Sequence, residues 1–261
     1  MHNRTVTTKH DSYYSIPLEK GLRILKLFTE GHDLSLQDVS HKAGISKTSA
    51  FRFCNTLVRL GYLTKDTRTK LLQSGTNAFM LANGLIRGFD LYQIVKPFLD
   101  EACNTYNVTV DSAIFDGESF GVLYRREVTG GLTYRMPMMT NAFTCTALGK
   151  AILAFLPEEE RRKLLEKLSR DRRTEKTLVS IKDIMADLRL TKERGYALNN
   201  EEFFPGFIAI AAPFINLNTR VVKGAVCFDF TTAQYSIGTI KKDFSQAIIK
   251  LAADISQAVP D

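Results

Sequence analysis

What this chain lacks restricts its chemistry first. Its four histidines, His2, His10, His32 and His41, all precede residue 42, so the long C-terminal part contains none. That removes the usual base of a Ser-His or Cys-His pair, and most transition-metal sites, from the only region large enough to enclose a substrate. Glu201-Glu202 would face opposite ways on a strand, and Gly117, Gly121, Gly130 and Gly131 do not form a phosphate-binding loop. Cys145 or Cys227 is the remaining candidate nucleophile. No enzyme activity, cofactor or metal is expected. The four cysteines, Cys54, Cys103, Cys145 and Cys227, are far apart without a Cys-x-x-Cys pair, which favours small buried hydrophobes in a reducing compartment over a disulfide framework. The longest apolar run, Ile208 to Ile215, is too short for a membrane span and contains a proline. Residues 1–15 lack the apolar core of a signal peptide, so a cytoplasmic protein is expected.

What is present fits two ordinary domains: 261 residues, 44% hydrophobic and 24% charged. The formal charge of +7 is unevenly placed. Residues 1–75 hold 12 Lys and Arg against 6 Asp and Glu, whereas residues 76–261 hold 23 against 22. A charge that served solubility alone would be spread out. One confined to the first segment points to a polyanionic partner there.

The segment Leu34 to Gln73 carries that charge in a recognisable pattern. Leu36, Val39 and Ala43 form one helical apolar edge, Gly44 and Ile45 interrupt it, and Ala50, Phe53, Cys54 and Leu57 form a second. Gly44 suits the left-handed stop of the first helix, and Ser46 is placed to cap the second, which should begin near Lys47. Thr48, Arg52, Asn55 and Arg59 then share its far face, with Lys47, Ser49 and Phe51 at its exposed start. Beyond Gly61, two short strands flank the polar turn Lys65 to Lys70, a hairpin with a cationic tip. A helix can enter the major groove and a basic hairpin can reach neighbouring phosphates, so this is a winged helix-turn-helix. The candidate DNA contacts are Ser46, Lys47, Thr48, Ser49, Phe51, Arg52, Asn55 and Arg59 on the helix, with Lys65, Arg68 and Lys70 on the wing.

Ahead of it, residues 1–15 read as a loose polar arm, and Pro17 opens a helix with Leu18, Leu22, Leu25 and Phe28 on one face and Gly31 at its end. After Ser74-Gly75, the stripe Phe79, Ala82, Leu85 and Ile86 fits either a linker helix that pairs with its copy or an ordinary core helix. A helix over Leu91–Tyr106, with Pro97 a break or restart, precedes a β-hairpin that turns at Asp116-Gly117-Glu118-Ser119 and ends at Gly130-Gly131. Helices follow over Thr146–Phe155, Glu158–Leu168 and Ile181–Arg194, and Arg170 to Lys176 is a solvated loop. Strands fit Tyr196–Asn199, Phe207–Phe214 and Val221–Phe230, before a last helix from about Ile240 to Ala258. The C-terminal part is therefore α+β around a mostly antiparallel sheet.

Several stretches in order resemble the IclR family of bacterial transcription regulators. They are Leu18-Glu19-Lys20-Gly21-Leu22-Arg23-Ile24-Leu25, Lys47-Thr48-Ser49-Ala50-Phe51-Arg52, Thr146-Ala147-Leu148-Gly149-Lys150-Ala151, Arg194-Gly195-Tyr196-Ala197, Glu201-Glu202, Pro205-Gly206 and Ala211-Ala212-Pro213. The resemblance implies a winged helix-turn-helix at 16–75, a linker helix at 76–89 and a GAF-like effector-binding domain at 90–261, working as a homodimer or homotetramer on double-stranded operator DNA. It also implies a small-molecule effector held by the loop Met136 to Ala147 and Leu148, by the segment from Asn199, and by strands around Ala209, Cys227 and Asp229. Cys227 and Asp229 share one side of their strand, and Met136 and Met139 could supply adaptable apolar walls.

The chain departs from the family pattern where it has Thr144 in place of a frequent histidine, Ala209 near a usual cysteine, and Cys227-x-Asp229 in place of Ser-x-Ser. An ionised Asp229 would oppose a carboxylate effector unless Arg125, Arg126 or Arg135 offset it; the bland alternative is a salt-bridged carboxylate outside any pocket. The expected function is an effector-controlled transcriptional regulator. The alternative is a constitutive dimeric repressor whose C-terminal domain only oligomerises.

Overall fold

In a computed structural model the described residues are 13–29, 31–129, 139–140 and 142–260, with 139–140 described by their backbone. The chain divides into two compact units, Met1–Gly88 and Phe89–Asp261.

In the first unit, Ser15 caps α1 (Ile16–Lys26) by accepting from the Leu18 N–H. Its inward face differs from the expected one. Ile24 and Phe28 are buried, but Leu18 and Leu22 are 62% and 58% exposed. The apolar arc of this helix is wider than its core contact, and periodicity alone cannot say which edge of such an arc the core takes. Helix α2 (Leu36–Lys42) opens with a reciprocal cap between Ser35 and Asp38, and Gly44 (φ +62°) turns the chain into α3 (Lys47–Arg59). Strands β1 (Leu63–Lys65) and β2 (Leu72–Ser74) pair antiparallel, with Leu34 bridging to Leu72. Val39, Ala50, Cys54, Leu57, Leu63 and Leu72 close the core.

Helix α4 (Thr76–Arg87) buries none of its residues: Phe79, Met80 and Leu85 are 67%, 62% and 65% exposed. It is therefore not a core helix. Its first turn is clamped to the end of α3. Asn77 donates from its backbone to the Gly61 carbonyl at 3.0 Å and from its side chain to the Leu60 carbonyl at 2.8 Å. A Cβ on Gly75 would lie 2.2 Å from the Gly61 oxygen, so only glycine permits that approach.

The second unit begins with α5 (Asp90–Tyr106), which runs through Pro97 without a break. Proline removes one helical donor but holds a helix-compatible φ, and burial of Val95 before it and Leu99, Ala102 and Cys103 after it holds both halves in line. Asn107 (φ +52°) ends the helix in the left-handed conformation. Then follow β3 (Thr109–Phe115), β4 (Phe120–Arg126), β5 (Met139–Thr140), α6 (Ala147–Phe155), α7 (Glu158–Lys167), α8 (Ile181–Arg194), β6 (Ala197–Asn200), β7 (Phe207–Ile215), β8 (Val222–Thr231) and α9 (Ile237–Ala258). Helix α9 starts before Ile240 because Ser236 supplies its cap, accepting from the Thr239 N–H at 3.0 Å. The expected stop at Gly130-Gly131 falls outside the described residues.

All strand pairs of the second unit are antiparallel, in the order β5-β4-β3-β8-β7-β6. This is the α+β architecture with a helix-turn-helix head that the pattern indicated. One sheet face packs on α6, α7 and α8 and the other on α5 and α9, so the central strands are buried on both sides. All four cysteines are free and buried. Among the described residues, no helix is long and apolar enough to cross a membrane.

Candidate functional site

The head presents one face of α3. At about 100° per residue, Thr48, Arg52, Asn55 and Arg59 fall within an arc of about 60°, opposite the side occupied by Ala50, Cys54 and Leu57. Burial agrees with that geometry: these three are buried, whereas Lys47, Thr48, Phe51, Arg52 and Arg59 are exposed, and Ser49 and Asn55 are half-buried. Ser46, also exposed, holds the helix start by accepting from the Ser49 N–H at 3.2 Å. The Arg52 and Arg59 guanidinium groups form no ion pair among the described residues.

The wing tip is fixed from within. The Asp66 carboxylate accepts from the backbone of Thr69 and of Arg68, the latter at 2.8 Å, and these bonds hold its carboxyl below the usual range. Lys65, Arg68 and Lys70 are exposed around it. The Lys70 ammonium donates to the Thr67 carbonyl at 2.6 Å, leaving Lys65 and Arg68 as the more available cations. Lys70 itself has φ +63°.

In the second unit the register places Asn199, Ala209, Asp229 and Thr109 side by side across four strands, on the face that α6 covers. The next row holds Ala197, Ala211, Cys227, Asp111 and Arg125. The floor is thus alanine, with polar groups at both ends. At one end the Arg125 guanidinium bridges two carboxylates, at 2.5 Å from Asp111 and 3.0 Å from Asp229, while its Nε donates to Glu127 at 2.9 Å. The Cys227 thiol donates to Asp229 Oδ1 at 3.2 Å. Burial and the Asp229 charge push the Asp111 carboxyl well above its ordinary range, and burial raises the Cys227 thiol likewise. At the other end Asn199 Oδ1 accepts from the Glu202 N–H at 2.9 Å. The buried Lys150 ammonium binds Glu202 at 2.6 Å and Asp187 at 2.9 Å. Burial raises the Glu202 carboxyl, with Lys150 opposing the shift.

Ala147 and Leu148 form the first turn of α6 over this face, and Thr144 is buried in the loop before it. Of the expected residues, Asn199, Ala209, Cys227 and Asp229 share one sheet face, Ala147 and Leu148 pack in the core cluster on that side, and Thr144 is buried in the loop before α6. Met136, the Met139 side chain and Arg135 lie outside the described residues. Of the other suggested counter-ions, Arg126 turns to Asp100 at 3.8 Å, leaving Asp229 to Arg125.

Residues 17–67 match the IclR helix-turn-helix domain, and residues 84–257 match the family described as bacterial transcriptional regulator IclR C-terminal. The chain belongs to the IclR family. It is 30% identical over 214 residues to the HTH-type transcriptional regulator XynR of Escherichia coli K12, covering 78% of this chain and 82% of that one. A crystal structure of an IclR family regulator from Brucella abortus superposes with a TM-score of 0.81 at 25% identity, covering 96% of this chain and 95% of that one. An IclR homologue of Microbacterium hydrocarbonoxydans, solved as a complex with 4-hydroxybenzoate, shares the fold with a TM-score of 0.73 at 18% identity, covering 93% of this chain and 98% of that one.

Sequence reasoning missed two members of this sheet face in the IclR-family chain. Thr109 and Asp111 flank Val110 on β3, and a carboxylate in a strand buried on both faces was the available signal. The Lys150–Glu202 pair joins residues 52 positions apart and left no local mark. The adjacent glutamates do separate, though not as alternating strand residues. Both follow β6 in a bend where Glu201 has φ +60°, so Glu202 turns inward while Glu201 pairs with Lys176.

Proposed function

We propose that this IclR-family regulator reads a double-stranded operator with paired heads and alters its grip when a small metabolite occupies the alanine-floored sheet face. Under this reading the arm at 1–15 precedes a DNA-binding head at 16–75, a linker at 76–89 and a sensor at 90–261, and the protein acts in the cytoplasm, where operator DNA is found. The observation that carries the effector reading is the unfinished hydrogen bonding of that face. Asp111 Oδ1, Asn199 Nδ2 and Glu202 Oε2 are buried, and none meets a hydrogen-bond partner among the described residues. Leaving such atoms unmet costs about 1–3 kcal/mol each, a cost that a bound polar molecule offsets.

Arg52, Asn55 and Thr48 face base edges in this reading, with Ser46, Lys47, Ser49, Phe51 and Arg59 around them and Lys65, Arg68 and Lys70 on phosphates. The exposed apolar side of α4 pairs with a second copy, giving a homodimer or homotetramer. One head reads only a few base pairs, and a twofold axis doubles the site. The clamp of Asn77 and Gly75 on α3 makes α4 and the reading helix move as one piece, so an effector that favours one α4 arrangement changes head spacing.

The test is a thermal-shift screen of purified protein against metabolites, followed by operator binding with each stabilising compound. The expected result is a compound that raises the melting temperature and changes operator affinity at least fivefold. Operator affinity that ignores every stabilising compound would favour the constitutive repressor.

A further inference from the structure

Where β3 begins and β8 ends, a cavity of about 120 Å³ opens beside Asp229, lined by Asn107, Thr109, Val128, Gln234 and Tyr235 among others. Among the described residues its walls carry one carboxylate and no lysine, arginine or histidine. They offer oxygens and an aromatic ring, the surroundings a positively charged nitrogen prefers.

The charge balance behind the wall points the same way. One guanidinium, Arg125, serves three carboxylates: Asp111, Asp229 and Glu127. Its donors are therefore directed at protein groups. Asp229 Oδ2 meets Arg125, and among the described residues Oδ1 receives the weak thiol donor of Cys227 alone. Asp111 Oδ1, buried beside them, meets no donor among the described residues. Among the described residues the cluster is short of hydrogen-bond donors. Among the described residues a ligand carboxylate placed here would meet the Asp229 charge and no free guanidinium fork, whereas an ammonium would supply the missing donors.

We propose that the effector of this protein presents a protonated amine to the cavity beside Asp229, with Asp229 as its counter-ion and the Tyr235 ring and the Thr109 hydroxyl completing the pocket. This rests on the sensor face being a ligand site and adds the charge class of what it takes.

Three two-carbon probes separate the possibilities at constant ionic strength: ethanolamine, ethylene glycol and sodium glycolate. They share a hydroxyl and a size that the cavity admits, and differ in the charge of the second group. Binding to the full-length protein is read by saturation-transfer NMR and by thermal shift. Ethanolamine is expected to bind at millimolar concentration, with glycolate silent and ethylene glycol weaker by about tenfold. Asp229→Asn should abolish the ethanolamine preference. Should that variant fold poorly, Gln234→Lys adds a cation at the exposed rim and leaves the buried network in place. It should weaken ethanolamine by about tenfold, with the melting temperature of the unliganded protein unchanged. A glycolate response without an ethanolamine response would overturn the amine assignment and leave the ligand face standing. Ethanolamine binding unaltered in both variants would overturn the assignment by placing the amine elsewhere. Silence of the wild type toward all three probes would overturn the amine assignment at this cavity, and the metabolite screen would still decide the ligand-site reading.

Discussion

Gly75→Ala isolates the junction between reading helix and linker. The backbone of Gly75 (φ −94°, ψ 166°) is open to any residue, so the substitution adds one methyl group and no dihedral strain. That methyl would sit 2.2 Å from the Gly61 carbonyl oxygen and 2.9 Å from its carbon. Ordinary contact needs about 3.4 Å, so two backbone segments must part by about 1 Å, and overpacking of this kind costs ~1–3 kcal/mol. The separation also lengthens the two Asn77 hydrogen bonds that hold α4 to α3. For a unit of this size the head's melting temperature should fall by about 5–20 °C. Gly84→Ala, nine positions further on, is the control. A Cβ there meets no atom within 4 Å, and replacing an interior helix glycine should stabilise α4 by ~0.5–1 kcal/mol. Calorimetry of both full-length variants, with hydrogen exchange of the Tyr62–Asn77 amides and operator binding by fluorescence anisotropy, reads the contrast. A Gly75→Ala head that melts, exchanges and binds like the wild type would refute the clamp.

Other outcomes follow from the same geometry. Arg52→Ala should weaken operator binding by ~1–3 kcal/mol while leaving affinity for unrelated duplex nearly unchanged; equal losses on both DNAs, measured by anisotropy, would move Arg52 from base reading to phosphate attraction. Replacing Lys65 and Arg68 together should flatten the plot of log affinity against log salt by about 1.8 per head, which is about a twelvefold change in salt sensitivity between 50 and 200 mM. An unchanged slope would exclude the wing from the backbone contact. Burial, then Asp229, raises the folded Asp111 carboxyl well above its unfolded value of about 3.9. The unfolded chain therefore loses that proton first as pH rises, so this group is least unfavourable to folding below pH ~4 and increasingly costly up to its folded range. Asp111→Asn should flatten that decline in the melting temperature of the second unit, and superimposable pH curves for the two proteins would contradict it.

The legible parts of the fold were those with local causes. Helix α8 was marked at both ends by Ser180, whose hydroxyl accepts from the Asp183 N–H, and by Gly195 at φ +83°. The turn at Gly44 and the cap at Ser46 fixed α3, and with it the exposed face of Arg52 and Arg59. The apolar pattern misled where two surfaces compete: Leu18 and Leu22 have core-like spacing but face solvent. Pro97 misled because local helix cost was outweighed by packing on either side. The Arg125 bridge could be suspected but not placed, because its partners lie 14 and 104 positions away and only strand register brings them together.

Four buried thiols divide naturally between the units, Cys54 in the first and Cys103, Cys145 and Cys227 in the second. Burial pushes the Cys54 thiol up to about 11, and at neutral pH about one molecule in ten thousand then carries the reactive thiolate. Burial raises the other three as well. Alkylating reagents and peroxide should therefore pass over the folded chain and modify it only as each unit opens. The native sequence thus carries its own pair of stopwatches, since the modification rate of Cys54 times the breathing of the DNA-reading unit and the remaining three time that of the sheet.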